Sequence, residues 1–492
     1  MKLIYGISDK PKFSKTLIFA LQQMIAIMAA TLLVPILIST YNVPLGMAPV
    51  TADPAAALFG AGIGTLVYIF FTKRRSPVFL GSSFTFLGAY SACIGQGYGY
   101  WGVILGIAFA GLVYVVIALI VKFTGSAWVN KLLPPVIIGP IVTLIGLSLS
   151  GTATSWTMQN GGNDYNWIAI LCGLFTFLAI VFVSVKGTKN MKLIPFVIGI
   201  GAGYALALIF TVIGHIASVD YLKVLDFQPF VFNFVDNLSF QSFLDYPKFF
   251  FLKAIETNGQ YPLDGAAIGN IAMIFVPIGI VELAQHISDH KNLSNIVEKD
   301  LITDPGLDKT LLGDGVGSMV GGVFGGCANT TYGESIGCVA ITGNASIVSI
   351  LTAAVGCMVL SFFTPFVVLI NTIPKCVMGG ACIALYGFIA VSGLQMLKRV
   401  DLGNNKNLFV VSAILVCGIG GLCFNFGENA ITGGPLFSIT SLAAALIVGI
   451  VTNLVVNNGH LSSGEESDGL SASSNSMGEA YDKEVEEKKD EE

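Results

Sequence analysis

The sequence predicts an all-α polytopic membrane protein, with about fourteen membrane segments in two inverted seven-segment repeats. Three observations point there. Of 492 residues, 54% are hydrophobic and only 11% charged, under half the roughly 25% charge of a soluble domain. Apolar runs of about 20 residues, enough to cross a hydrocarbon core, recur almost throughout. When these runs are threaded alternately across a bilayer, the lysines and arginines gather on one side.

The runs of the first half fall at 13–40, 55–72, 77–97, 100–122, 130–150, 165–186 and 192–215. A long polar loop, 216–265, separates them from 266–290, 310–325, 326–344, 347–371, 376–398, 406–425 and 436–456. Met1 to Lys15 is polar and basic, and the apolar run after it is too long for a signal-peptide core. It reads as the first membrane helix. With the N-terminus inside, Lys12, Arg74, Lys122, Lys131, Lys189, Lys192, Lys291, Lys309 and Lys398 share the cytoplasmic side with the tail lysines. Only Lys223, Lys248, Lys253 and Lys375 fall opposite, three of them in the long loop. An even number of spans keeps this pattern, and an odd number per half makes the repeats inverted. The end of the chain, 457–492, is rich in Ser, Glu, Asp and Lys without apolar periodicity, and is expected to be a disordered acidic tail. The cysteines contain no CxxC pair and read as small apolar packers, not as a disulfide or zinc framework.

The third run of each half is unusual. Ser76 to Phe86 reads SPVFLGSSFTF, and Gly325 to Gly337 reads GGCANTTYGESIG. Both are poor continuous helices, and broken segments at matching places in two halves mark a transport site. Small residues that merely allow close helix packing are the plainer alternative, but packing does not account for a carboxylate. Glu334, near the bilayer centre, costs at least about 2.5–3.5 kcal/mol on insertion scales, so it is expected to face protein or water. The Gly and Thr residues around it leave backbone N–H groups able to donate to a ligand at a half-helix start. Capping that helix is the other role open to Glu334.

A second cluster is Glu282, Gln285 and Asp289, spaced i, i+3 and i+7 on one helical face. A polar stripe on an apolar helix should face a cavity. Asp289 and His290 fit a solvated cytoplasmic cap equally well, and His286 reads as packing. Gln22 and Gln23 in the first run need partners, and orienting neighbouring backbone suffices. The stretch around Asp314 is glycine-rich but spells no phosphate loop, because the Lys-Ser/Thr is missing. Asp314 is expected at a cytoplasmic helix start. An intramembrane aspartyl protease would need a second, paired Asp, and no enzyme is expected.

These residues resemble the nucleobase/ascorbate transporter family (nucleobase:cation symporter family 2), in its bacterial uracil permease branch, over 13–456. The family signature Glu/Gln/Pro-Asn-x-Gly-x4-Thr-Arg/Lys/Gly is matched by Glu334-Ser335-Ile336-Gly337 through Thr342-Gly343, with Ser335 in place of Asn. Leu80-Gly81-Ser82-Ser83-Phe84 and Leu385-Tyr386-Gly387-Phe388 are similar too.

The resemblance implies short antiparallel strands in segments 3 and 10 and a core moving against a gate. The core would be 13–125 and 266–372; the gate would be 126–265, which includes the extracellular loop, and 373–456. Residues 1–12 would be a cytoplasmic N-terminus. It also implies import of a nucleobase, most simply uracil, in symport with protons, by a homodimer in the cell membrane with both termini cytoplasmic. Glu334, the N–H groups of Gly333 and Phe84, Gln285 and Tyr332 would bind the base, while Tyr386, Gln22 and Gln23 would serve gating and packing. Gln285 stands where uracil permeases carry Glu. It keeps a donor and an acceptor for an imide edge but cannot titrate, which leaves Glu334, Glu282 and Asp289 as proton-coupling candidates. Gln23 likewise stands where many members have His. The alternatives are a xanthine or other purine permease of the family, or an anion carrier of the same fold. An anion carrier would show Lys or Arg at the broken segments, and none is present. No cofactor, metal or nucleic-acid partner is expected.

Overall fold

The computed structural model describes residues 3–462, apart from 45, 126–127, 129–133, 160–163, 189–190, 261–262, 429–434 and 461. Most of the acidic tail, with Lys131 and Lys189, therefore lies outside the described residues. Among the described residues, eight helices are long and apolar enough to cross a membrane.

The first half runs through α1 (Phe13–Ile38), α2 (Pro54–Phe71), β1 (Leu80–Ser82), α3 (Leu87–Gly95) and α4 (Gly99–Thr124). It continues with α5 (Pro135–Ser148), α6 (Ser150–Met158), α7 (Trp167–Lys186) and α8 (Pro195–Ala217). The second half comprises α9 (Gly265–Val297), α10 (Leu307–Gly325), β2 (Asn329–Thr331), α11 (Gly333–Thr342), α12 (Ile347–Leu360) and α13 (Thr364–Asn371). It ends with α14 (Lys375–Met396), α15 (Asn405–Ile419), β3 (Phe424–Glu428), β4 (Pro435–Ile439) and α16 (Ser441–Val456).

Both unusual runs break as their composition suggests. Each supplies a three-residue strand and then a short helix, α3 or α11. The strands pair antiparallel, Leu80 with Thr331, Gly81 with Thr330 and Ser82 with Asn329. Backbone groups inside a membrane must be satisfied, and this ladder does so where helix is lost. Tyr332 closes over it: its hydroxyl donates to the Ser82 carbonyl at 2.6 Å. A Cβ on Gly81 would lie 2.4 Å from the Tyr332 ring, so only glycine fits there.

Small residues hold the halves together. Gly60 and Gly64 on α2 face Gly321 and Gly317 on α10, each pair four residues apart, as in membrane helix-packing motifs. Helices α1, α2 and α4 pack with α9, α10 and α12, while α5 packs with α14 and α15, α6 with α14, and α7 and α8 with each other and with α14. Residues 4–7 lie along 343–347, with Tyr5 bridged in parallel to Asn344.

Several expectations change. Asp314 is not at a helix start: α10 begins two turns earlier, at Leu307, and Asp314 is 1% exposed. Likewise α9 runs two turns past Asp289 and His290 to Val297, and His290 is fully buried, so neither is a terminal cap. The run 406–425 ends its helix at Ile419, where Gly420 and the positive φ of Gly421 allow a turn into the β3–β4 hairpin. The loop 216–265 is less polar than its charges suggest. Its Phe249 and Phe250 are pinned by rings: Phe249 meets Phe59 and Phe324, and Phe250 fills the space beside Gly326.

Candidate substrate-binding site

Glu334 sits on the second residue of α11, just after the strand break. Tyr332 is the extended N-cap, and Gly333 opens the helix with no heavy atom within 4 Å of where a Cβ would stand. The first N–H groups of a helix have no intrahelical partner, so this end offers donors beside a carboxylate. It faces a cavity of about 550 Å³, within the usual range for small-molecule sites.

The polar wall of the cavity carries Ser83, Phe84 and Thr85 after β1, Gln285 and Asp289 from α9, and Tyr332 to Glu334. The apolar part of the lining comes from Ile25 and Ala26 of α1, Phe196 of α8, and Leu385, Phe388 and Ile389 of α14. Lys192 and the exposed Asn292 stand at its rim. One small-molecule chamber is thus built jointly by the two broken segments and by helices from both packing groups.

The five expected base-binding residues, Glu334, Gly333, Tyr332, Phe84 and Gln285, all line this chamber. Phe84 is 8% exposed and meets Tyr386 edge-on at 5.6 Å, which puts Tyr386 behind the wall as its support. Asp289 also lines the cavity and accepts from the Thr331 hydroxyl at 2.8 Å. Glu282 does not reach the cavity. It is 1% exposed and accepts from Ser83 Oγ at 3.0 Å, behind the broken segment. Gln22 and Gln23 stand outside the cavity lining. Gln23 donates to Ser335, whose hydroxyl also accepts the N–H of Phe79 at 3.1 Å.

His286 is more than packing. Its Nδ1 lies 2.6 Å from Asp314 Oδ2 and its Nε2 3.1 Å from the Thr310 hydroxyl. One turn on, His290 stacks on it at 4.1 Å and meets the Tyr68 hydroxyl at 2.7 Å. Sequence reading misses this polar seam because its members lie in three separated runs. The available signal was the i, i+4 pair of histidines on a membrane helix.

Residues 14–426 match the model of a permease family for xanthine and uracil permeases. The chain belongs to this family. The motif-level resemblance to nucleobase/ascorbate transporters, and among them to bacterial uracil permeases, thereby holds over nearly the whole chain. The chain is 36% identical to a uracil permease of Bacillus caldolyticus over 92% of its own length and 95% of that relative. It is 31% identical to a uracil permease of Escherichia coli K12, over 91% and 95% of the two chains. The fold is similar to the transmembrane domain of the cyanobacterial bicarbonate transporter BicA, with TM-score 0.54 and 16% identity, covering 91% of this chain and 99% of that one. It is also similar to murine Slc26a9, an anion transporter solved in an inward-facing state, with TM-score 0.58 and 12% identity over 92% and 69%. At such identities the likeness concerns fold alone. The protein is a multi-pass membrane permease and not an enzyme.

Proposed function

We propose that this permease imports a nucleobase, uracil, in symport with protons. The observation that carries the reading is the start of α11, where Gly333 and Glu334 line one chamber together with Gln285 and Phe84. A uracil edge alternates carbonyl acceptors with N–H donors. Backbone N–H groups suit the carbonyls, and a carboxylate suits the ring N–H through a charge-assisted bond of about 1.5–3 kcal/mol. The Gln285 amide can both donate and accept. Phe84 and the apolar wall suit the ring face. The uracil permeases among the relatives favour this base over a purine. The acidic chamber, lined by a single lysine among the described residues, disfavours an inorganic anion.

The packing of the helices supports a core of 13–125 and 266–372 moving against a gate of 126–265 and 373–456, with the loop stretch around Phe249 and Phe250 resting on the core. With the lysine distribution setting both termini in the cytoplasm, the rim at Lys192 lies on the cytoplasmic side, so the chamber faces inward. A homodimer in the plasma membrane rests on the family resemblance alone. Glu334 and Asp289 in the chamber and Glu282 behind it are the acids available to carry a coupling proton.

The test is uptake of labelled uracil into vesicles holding the purified protein, with and without a pH gradient, in competition with xanthine and sulfate. Saturable uptake blocked by uracil alone and driven by the gradient is the expected result. Block by xanthine or sulfate at lower concentration than uracil would refute the choice of base.

A further inference from the structure

Behind the chamber lies a second void of about 10 Å³, about the room that one water molecule needs. Its walls are mixed: Phe86, Ala110, Gly111 and Gly315 supply apolar surface, and Glu282 of α9, Asp314 and Ser318 of α10, Tyr114 of α4 and Asn329 of β2 bring polar groups to it. Glu282 and Asp314 are each 1% exposed and Tyr114 is 4% exposed. Glu282 Oε2, Asp314 Oδ1 and the Tyr114 hydroxyl make no hydrogen bond of good geometry, although Thr85 and Thr330 stand beside the Glu282 carboxyl group and the Thr331 backbone stands beside Asp314. Buried polar atoms are nearly always paired, so three such atoms around one water-sized void call for an occupant. The remaining carboxyl oxygens are already engaged, Glu282 Oε1 by Ser83 and Asp314 Oδ2 by His286.

We propose that one ordered water fills this void, bridges Glu282 to Asp314, and lets the pair share a single proton that travels with the substrate. This deepens the symport reading above and rests on it. The titratable groups around the pair are Tyr68 of α2, Tyr90 of α3, Tyr114 of α4, and His286, Asp289 and His290 on α9. Among the described residues, no lysine or arginine forms an ion pair with either carboxyl group. Two negative charges facing one buried void repel each other, and one proton between them removes the repulsion. The water can then donate to one carboxyl group and accept from the other, with Tyr114 as its third contact.

The site also has a mechanical link to the chamber. Ser83, bonded to Glu282, directly precedes the base-contacting Phe84. A shift of that segment as the base binds would alter the Glu282 hydrogen bond, and so the hold on the proton. The proton comes from water on the side where the base enters and returns to water in the cytoplasm. On loading, an O–H bond of hydronium breaks as the carboxyl O–H bond forms, and on release the carboxyl O–H bond breaks as water takes the proton back.

The test uses the full-length protein in vesicles and compares uracil accumulation driven by a pH gradient with counterflow, which needs no gradient. Across about one pH unit, a one-proton symporter accumulates substrate about tenfold. Glu282→Gln and Asp314→Asn are each expected to abolish that accumulation while lowering counterflow far less. Tyr114→Phe, a milder change, should reduce the ratio of accumulation to counterflow part-way. A wild-type ratio in Glu282→Gln or in Tyr114→Phe overturns the proposal. So does a wild type driven by a sodium gradient in place of a pH gradient, since a cation would then claim the void. A wild type that takes up no uracil in either assay refutes the uracil reading instead. Independent of any variant, a high-resolution density map should show one water between Glu282 and Asp314, and an empty void contradicts the proposal.

Discussion

The side-chain amide of Gln23 donates to both the carbonyl and the hydroxyl of Ser335, at 3.2 and 3.3 Å. Ser335 is the residue after Glu334, and its hydroxyl also receives the N–H of Phe79, which leads into β1. Helix α1, the first broken segment and the start of α11 are therefore fastened at one point beside the chamber.

Removing that fastening should be felt in binding. A buried hydrogen bond contributes about 1 kcal/mol net, so Gln23→Ala is expected to weaken uracil binding about fivefold in calorimetric titration. Ser335→Ala in the same chain should add only the loss of the Phe79 N–H bond, because its bond to Gln23 is already gone, so the double variant should lose less than the sum of the two single ones. Fully additive losses would contradict the link.

Gln285 offers the second polar contact of the chamber. Gln285→Ala deletes one donor and one acceptor facing the base, and about a tenfold rise in KM for uracil uptake is expected. An unchanged KM would place the base elsewhere.

The α2–α10 contact leaves no room for side chains. A Cβ on Gly321 would come within 2.0 Å of the Asn329 amide, and one on Gly60 within 2.6 Å of the Gly321 carbonyl. Overpacking of this kind costs about 1–3 kcal/mol. Gly321→Val should therefore lower the melting temperature of the purified protein, read by intrinsic fluorescence. Gly88→Ala, on α3 with nothing within 4 Å of its Cβ position, serves as the control and should leave it unchanged.

Arg75 and Asp304 form an ion pair with both side chains exposed, and breaking the buried His286–Asp314 contact should cost more than breaking it. Removing one partner of a buried polar pair costs about 3–5 kcal/mol, whereas exposed pairs contribute about 0–1 kcal/mol. His286→Ala is expected to reduce thermal stability clearly and Arg75→Ala hardly at all. The reverse order would show that the buried seam is not a structural element.

Much of the site could be read from residue order alone. Gly81-Ser82-Ser83 and Thr330-Thr331-Tyr332-Gly333 cannot sustain membrane helices, and a carboxylate beside the second of them pointed to a chamber. The i, i+3, i+7 spacing placed Gln285 and Asp289 on one wall. That spacing could not show that Glu282 turns behind Ser83, because a one-turn offset decides which side of the strand pair a side chain meets. Asp314 was legible only as a polar residue among glycines. Those glycines let α10 approach α2 and α4 closely, and that closeness buries it. The β3–β4 hairpin escaped notice because Phe424 and Phe426 add to an apolar run while their period-two alternation spans too few residues to stand out. Likewise Phe249 and Phe250 were counted with the charges around them, although their rings tie the long loop to the helices.

The most direct test of the account is equilibrium binding of uracil to the purified protein and to Glu334→Ala. Loss of the charge-assisted bond should weaken binding by about ten- to a hundredfold, with the fold intact by circular dichroism. Wild-type affinity in the folded variant would contradict the placing of the base at the start of α11.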